Sequence, residues 1–241
     1  MLNHAVKSLF IRSNFLRNKL LALFTIFFIS SCALTTDTSH DSSSEIEVLP
    51  EYVFAPAANM SENIEQTLAT AKAQNKQALL VLGAQWCHDS KGLAQKFSTP
   101  EMQKILTENY QTLFIDVGYL EKGFDVVKQF DLPIYYGTPT VMVIDPNSAK
   151  LLNRPTMQKW LSANNVELNE YIKYFDSFST KNHTLKGLNN ELQPYLKVIN
   201  EFENKHAVRL KEAYSVIGPL LKQYMESDNK INMIAAGTTN Q

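Results

Sequence analysis

An α/β fold, with a mixed central sheet flanked by helices and a C-terminal helical extension, is what this 241-residue sequence predicts, on three observations. Ala78 to Gly83 are apolar or Gly with no alternation, the pattern of a strand covered on both faces. Thr112 to Val117 is a second such stretch after an intervening helical segment, and the two strands are parallel if that crossover is right-handed. From Leu196 to Tyr224 apolar residues return every three or four positions, the period of a long amphipathic helix or helical hairpin.

The first third of the chain has a different character. Lys7, Arg12, Arg17 and Lys19 precede an apolar run, Leu20 to Ile29, that is too short to span a bilayer as a mature helix. Ile29-Ser30-Ser31-Cys32 closes the run with small residues, so residues 1–31 read as an export signal. That exit resembles a bacterial lipobox. The resemblance implies cleavage before Cys32, lipidation of its sulfur and attachment to a membrane. Ala33 after the cysteine points, by the same resemblance, to the periplasmic face of the outer membrane. An ordinary signal peptide cleaved nearby, leaving Cys32 a free thiol, and an uncleaved amphipathic anchor are the alternatives. Residues 32–50, rich in Ser, Thr and Asp, read as a flexible tether, because so few apolar residues cannot offset the entropy of ordering.

Without residues 1–31 the chain holds 19 basic and 24 acidic residues, a balance of −5 that suits neither nucleic acid nor anionic lipid surfaces. If Cys32 is lipidated, Cys87 is the one remaining thiol and no internal disulfide can form, so stability must come from a core.

A domain over residues 51–165 is expected. Tyr52-Val53-Phe54 suits a first, edge strand. Asn59 and Glu62 have capping-box spacing, and Ile64, Leu68 and Ala71 give the following helix an apolar face to about Asn75. After the first buried strand a helix runs from His88 to Phe97, and Ser98-Thr99-Pro100-Glu101 caps another with Met102, Ile105 and Leu106 buried. Asp116, at the end of the second strand, is the acid to examine, either for a functional role or as a turn acceptor. A loop at 118–123, a short helix over Phe124–Phe130, and a hairpin of Thr140–Ile144 with Leu151-Leu152 about Asp145-Pro146-Asn147 complete the sheet. Met157, Trp160 and Leu161 suit a closing helix. Residues 166–228 form the extension, which either packs back on the domain or offers a docking or dimerisation surface to a protein partner. Gly218-Pro219 should break or kink it, and 229–241 should fray.

Trp86-Cys87-His88-Asp89-Ser90 places a thiol where a buried strand ends and a helix begins. The first turn of that helix presents unpaired N–H groups and the positive end of the macrodipole, which favour the thiolate. These residues, with Gly137-Thr138-Pro139-Thr140 before the apolar run Val141 to Ile144, resemble the thioredoxin-like superfamily over roughly residues 52–155. The resemblance implies a thioredoxin-like fold with a cis proline at Pro139 facing Cys87, and peptide pairing along the Thr138-Pro139 backbone. Ser90 stands where most redox-active members have a second cysteine, Val81 where thioredoxins proper carry a buried acid, and His88-Asp89 replaces Gly-Pro.

Cys87 is therefore the candidate nucleophile. Ser90, three residues on, is placed to donate to the thiolate, and His88 is placed to stabilise it against an opposing Asp89, whose other role is a plain helix-start acid. Trp86, Thr138, Pro139, Tyr135 and Tyr136 are the candidate substrate contacts, although the two tyrosines would serve equally as loop anchors. One thiol excludes cycling as a dithiol reductase and leaves monothiol exchange with protein or small-molecule thiols and disulfides. The alternative is a redox-inactive envelope module that binds or assembles. No Pro-x-x-x-Thr-x-x-Cys arrangement of a thiol peroxidase precedes Cys87. No phosphate loop, metal-ligand spacing or nucleophile elbow is present, so neither metal nor cofactor is expected.

Overall fold

The computed structural model describes residues 52–182 and 195–238, apart from the side chains of Leu196 and of residues 228–238. The expected export signal, Cys32 and the tether lie outside the described residues.

Helix α1 (Met60–Ala73) begins at Asn59, whose side chain accepts from the Glu62 N–H and donates to its carboxylate. It leads into β1 (Gln77–Gly83), buried at every position. Helices α2 (His88–Phe97) and α3 (Pro100–Asn109) cross over to β2 (Tyr110–Asp116). Then follow α4 (Phe124–Lys128), β3 (Thr140–Asp145) and the two-residue β4 (Lys150–Leu151). The sheet order is β2-β1-β3-β4, with β1 parallel to β2 and antiparallel to β3, so the sheet is mixed.

The alternation of the strands divides the core into two layers. Leu80, Leu82, Ile115, Met142 and Ile144 face α1 and the C-terminal helix α6 (Leu196–Thr238), where Ala207 and Tyr214 are buried. Leu79, Val81, Val141 and Val143 face the other way, against Leu93, Phe97, Met102 and Leu106 of α2 and α3. Each fully buried Leu or Val contributes about 1.5–3 kcal/mol of transfer free energy, so the central strands β1 and β3 are large contributors to stability.

Several elements differ from expectation. Tyr52-Val53-Phe54 is not a strand. It is held by rings instead of a ladder, Tyr52 stacking on Phe114 at 5.0 Å and Phe54 lying 4.8 Å from the same ring. Thr99 precedes α3 but turns its hydroxyl back to the Lys96 carbonyl, so Pro100, with no N–H to satisfy, starts the helix. Residues Met157–Asn165 form a 3₁₀ segment interrupted at Ser162, which holds φ −119° and ψ 38°. Helix α5 (Leu168–Ser177), in the extension that was expected either to pack back or to dock, packs back into the second layer through Tyr171 and Phe175, both fully buried.

Helix α6 runs through Gly218-Pro219 to Thr238 without the break that was expected there as the alternative to a kink, and past the start of the expected fraying. Pro219 removes one bond, to the Ser215 carbonyl. Packing holds the helix up to that gap: Tyr214 is buried, Leu210 packs on the first layer, and Gly218 lies so close to the domain that a Cβ there would sit 2.4 Å from the Tyr119 carbonyl oxygen.

The edge of β3 is finished by a side chain. Beyond Leu151 there is no strand to meet it, and Asn153, fully buried, accepts from the Val143 N–H and donates to the Val141 carbonyl and to the Tyr174 hydroxyl.

Candidate active site

Cys87 sits at the junction of β1 and α2. Its N–H closes a turn onto the Ala84 carbonyl, its own carbonyl accepts from Lys91, and at φ −81° and ψ 121° it is the extended residue that starts the helix. The side chain is 9% exposed. Its thiol donates to the Thr138 carbonyl oxygen at 3.3 Å, across the sheet end from β1. The Thr138–Pro139 peptide bond is cis. The Thr140 hydroxyl donates back to the Gly137 carbonyl at 2.8 Å and fixes the entry into β3. The N–H of Thr138 donates to none of the described residues.

Trp86 covers one side of the thiol's turn. Its indole N–H donates to the Gly118 carbonyl at 2.7 Å, and its ring lies parallel to that of Tyr119, 8° apart in plane with centroids 6.3 Å apart. Asp116 accepts from the Gly118 N–H, and Gly118 takes φ +59°, a conformation that costs a residue with a side chain but not glycine. Asp116 therefore shapes the loop on which Trp86 rests, as a turn acceptor.

The remaining sequence candidates fall elsewhere. Ser90 is fully buried, and its hydroxyl accepts from the Ala84 N–H at 3.4 Å, so it braces the turn before Cys87 instead of addressing the sulfur. Residues three apart share a helix face, but at a helix start the inner part of that face meets the strand end. His88 is exposed to solvent. Asp89 accepts from the Asn164 N–H at 3.0 Å and so ties the start of α2 to the end of the 3₁₀ segment.

Tyr135 is chiefly a core residue. It is 1% exposed, stacks between Phe124 and Tyr214, and donates its hydroxyl to the Lys122 carbonyl, so it anchors the loop into the first layer. Burial pushes its phenol well above the ordinary tyrosine range. Tyr136 is partly exposed and lines a cleft of about 110 Å³ with Thr140, Arg154, Met157, Gln158 and Glu203. Arg154 closes one wall by pairing with Glu203 of α6 and donating to the Asp131 carbonyl. The structure thus brings Trp86, Cys87, Thr138 and Pro139 together, puts Tyr136 on the surface nearby in sequence, sets Ser90 under the turn before Cys87, and buries Tyr135 in the first layer.

Sequence reading missed Tyr119, Asn164 and Gly92. Gly92 lies where an added Cβ would be 2.5 Å from the Asn164 side-chain oxygen, which lets α2 approach the 3₁₀ segment closely. A glycine inside a helix was the available signal, since it costs helix stability and invites a packing reason. Among the described residues no three His, Cys, Asp or Glu gather into a metal-holding group, and no helix is long and apolar enough to cross a membrane.

Sheet order, flanking helices and the Cys87–Thr138 juxtaposition define an α/β domain of thioredoxin-like fold. Residues 58–146 match the family described as thioredoxin-like. Among solved structures, the disulphide isomerase from Xylella fastidiosa Temecula1 is similar at 22% sequence identity and a TM-score of 0.48, over 52% of this chain and 94% of that one. No curated protein matches the chain.

Proposed function

We propose that the protein carries out monothiol thiol–disulfide exchange through Cys87. One observation carries the reading: the thiol is held at the start of α2 and against the backbone of Thr138, the residue before Pro139. In such an exchange the Cys87 thiolate attacks one sulfur of a substrate disulfide. A new S–S bond forms, the old one breaks, and the departing sulfur takes the electron pair as a thiolate. A second thiol, from the substrate or a small molecule, then attacks the mixed disulfide and returns Cys87 to its reduced form. The sum is an exchange with no net oxidant or reductant. The Thr138 N–H, without a partner among the described residues, is available to an extended substrate backbone alongside the sulfur.

A second reading has its own support. Only 9% of Cys87 is exposed, and the Ser90 hydroxyl oxygen is bonded to the Ala84 N–H, which suits a thioredoxin-like module that binds and does not react. Oxidised glutathione distinguishes the two. A Cys32→Ala chain should gain one glutathione on Cys87 while folded, detected as a mass adduct that dithiothreitol reverses, and Cys87→Ser should remain folded and gain none. An adduct that forms only in denaturant would leave the binding module standing.

The exported, lipid-anchored location belongs to the same proposal and rests on the sequence, on the basic start, the apolar run Leu20 to Ile29 and Ile29-Ser30-Ser31-Cys32. Cys32→Ala should move the protein from the membrane to the soluble fraction. A variant that stays with the membrane would remove the lipid anchor from the account.

A further inference from the structure

The exposed face of α6 is apolar in a specific arrangement. Tyr195, immediately before the helix, and Ile199, Phe202, Ile217, Leu220 and Tyr224 are between 41% and 65% exposed. On a helix of 100° per residue they fall within one stripe, set to the side of the face that carries Ala207, Tyr214 and Gly218 into the domain. The stripe is about 44 Å long at ~1.5 Å per residue. At these exposures it holds roughly 700 Å² of accessible surface, against ~800 Å² that each partner contributes to a stable interface of ordinary size.

The order of the residues says what covers it. The spacing is the same read from either end, because Tyr195, Ile199 and Phe202 lie as far before the midpoint between Arg209 and Leu210 as Tyr224, Leu220 and Ile217 lie after it. Two copies laid antiparallel about a two-fold axis at that midpoint set Tyr195 against Tyr224, Ile199 against Leu220 and Phe202 against Ile217, then repeat the three pairs on the other side. A two-fold interface requires this: if one residue meets a second, the second must meet the first. An unrelated partner imposes no such symmetry on the sequence.

The Lys205 and Glu212 charges agree with the same register, in which Arg209 comes beside its own copy at the two-fold axis. Lys205, Arg209 and Glu212 are exposed at i, i+4 and i+7 along one border of the stripe, and neither Lys205 nor Glu212 has an ion-pair partner among the described residues. In the antiparallel arrangement that border meets itself. Glu212 of one copy then arrives midway between Lys205 and Arg209 of the second, and the pattern is repeated by symmetry.

We infer that the exposed stripe of α6 is the interface of a homodimer, in which two α6 helices pair antiparallel about the Arg209–Leu210 midpoint.

Sedimentation equilibrium on the full chain tests this, together with cross-linking in a Cys32→Ala, Cys87→Ser background where an introduced thiol is the only one. The full chain should sediment as a dimer at roughly tens of micromolar. Phe202→Glu and, separately, Leu220→Glu should each raise the dissociation constant at least about tenfold with unchanged circular dichroism, both sites being on the surface. Glu212→Lys should weaken the dimer in a salt-dependent way. Mixed Tyr195→Cys and Tyr224→Cys chains should form a disulfide-linked pair, whereas neither variant alone should. A monomer throughout that range, a dimer indifferent to both Glu variants, or Tyr195→Cys cross-linking to itself would each overturn the antiparallel dimer.

Discussion

Helices α5 and α6 are both amphipathic and follow one another in the chain, yet they belong to the molecule in different ways. Helix α5 spends its largest side chains inward. Phe175 is fully buried between Phe97 and Trp160, with ring centroids 5.1 Å away in each case, and Tyr171 donates its hydroxyl to the Ala163 carbonyl. Helix α6 approaches the domain with Ala207, Tyr214 and Gly218 and leaves Phe202, Leu220 and Tyr224 outside. The first is part of the core of a thioredoxin-like domain; the second is seated on it. An apolar period of three to four residues states that a helix has a covered face, but not how deeply or by what.

That contrast can be tested in descending order of effect. Phe175→Ala should lower the stability of the whole domain by about 3–5 kcal/mol, since the cavity lies among rings that cannot collapse onto it. Chemical denaturation should show this as one cooperative transition at lower denaturant. A loss confined to α5 would make that helix an appendage too.

Asn153→Ala comes next. It leaves the Val143 N–H and the Val141 carbonyl buried without their side-chain partner and removes the bond that ties Tyr174 of α5 to the sheet, at a cost of about 2–4 kcal/mol. Asn153→Asp separates the parts, because a carboxylate keeps the acceptor and loses the donor, and it should also destabilise.

Gly218→Ala should do the opposite of Phe175→Ala in kind. Alanine favours the isolated helix by roughly 1 kcal/mol, but its methyl would meet the Tyr119 carbonyl at 2.4 Å. Hydrogen exchange should speed up along the middle of α6 while the sheet amides keep their protection. Loss of protection in both would mean that α6 is as integral as α5.

The smallest effect is one of pH. Burial pushes the Tyr214 phenol up to about 12. The folded form therefore holds its proton more tightly than the unfolded chain, whose tyrosines titrate near ~10. Stability from this group is complete below ~10 and is lost as the pH rises from there towards 12. Docking of α6 should loosen over that window, and Tyr214→Phe should shift the loosening upward. The same alkaline onset in Tyr214→Phe would assign it to another buried tyrosine.

Much of the sheet was legible because burial on both faces leaves an unbroken apolar run, as in Leu79 to Leu82, and because the strand-to-helix passage at Cys87 carries its own residues. The Asn59 cap, the 88–97 helix and the hairpin were legible for similar local reasons. What the sequence hid depends on contacts distant along the chain. Ser90 has the right spacing to face the sulfur, but the end of β1 takes its hydroxyl. Tyr135 and Tyr136 are the same residue type side by side, and only the position of α6 decides that one is core and the other surface. The depth of α5 was hidden because its rings answer to Phe97 and Trp160, which the period of α5 itself cannot reveal.

Asn153 has one more consequence, which concerns how the molecule avoids sticking to itself. An open strand is a template: its free backbone groups accept any other extended chain and can propagate into stacked aggregates. On the outer side of β3 the Val143 N–H and the Val141 carbonyl are already occupied by the side-chain amide of Asn153, and the Val143 carbonyl by the Leu152 N–H. A foreign strand arriving there meets these groups already taken, which makes further pairing along β3 less favourable. At this edge, contacts between copies are thereby left to side chains, whose identity can be selective, more than to a ladder, which would accept almost anything.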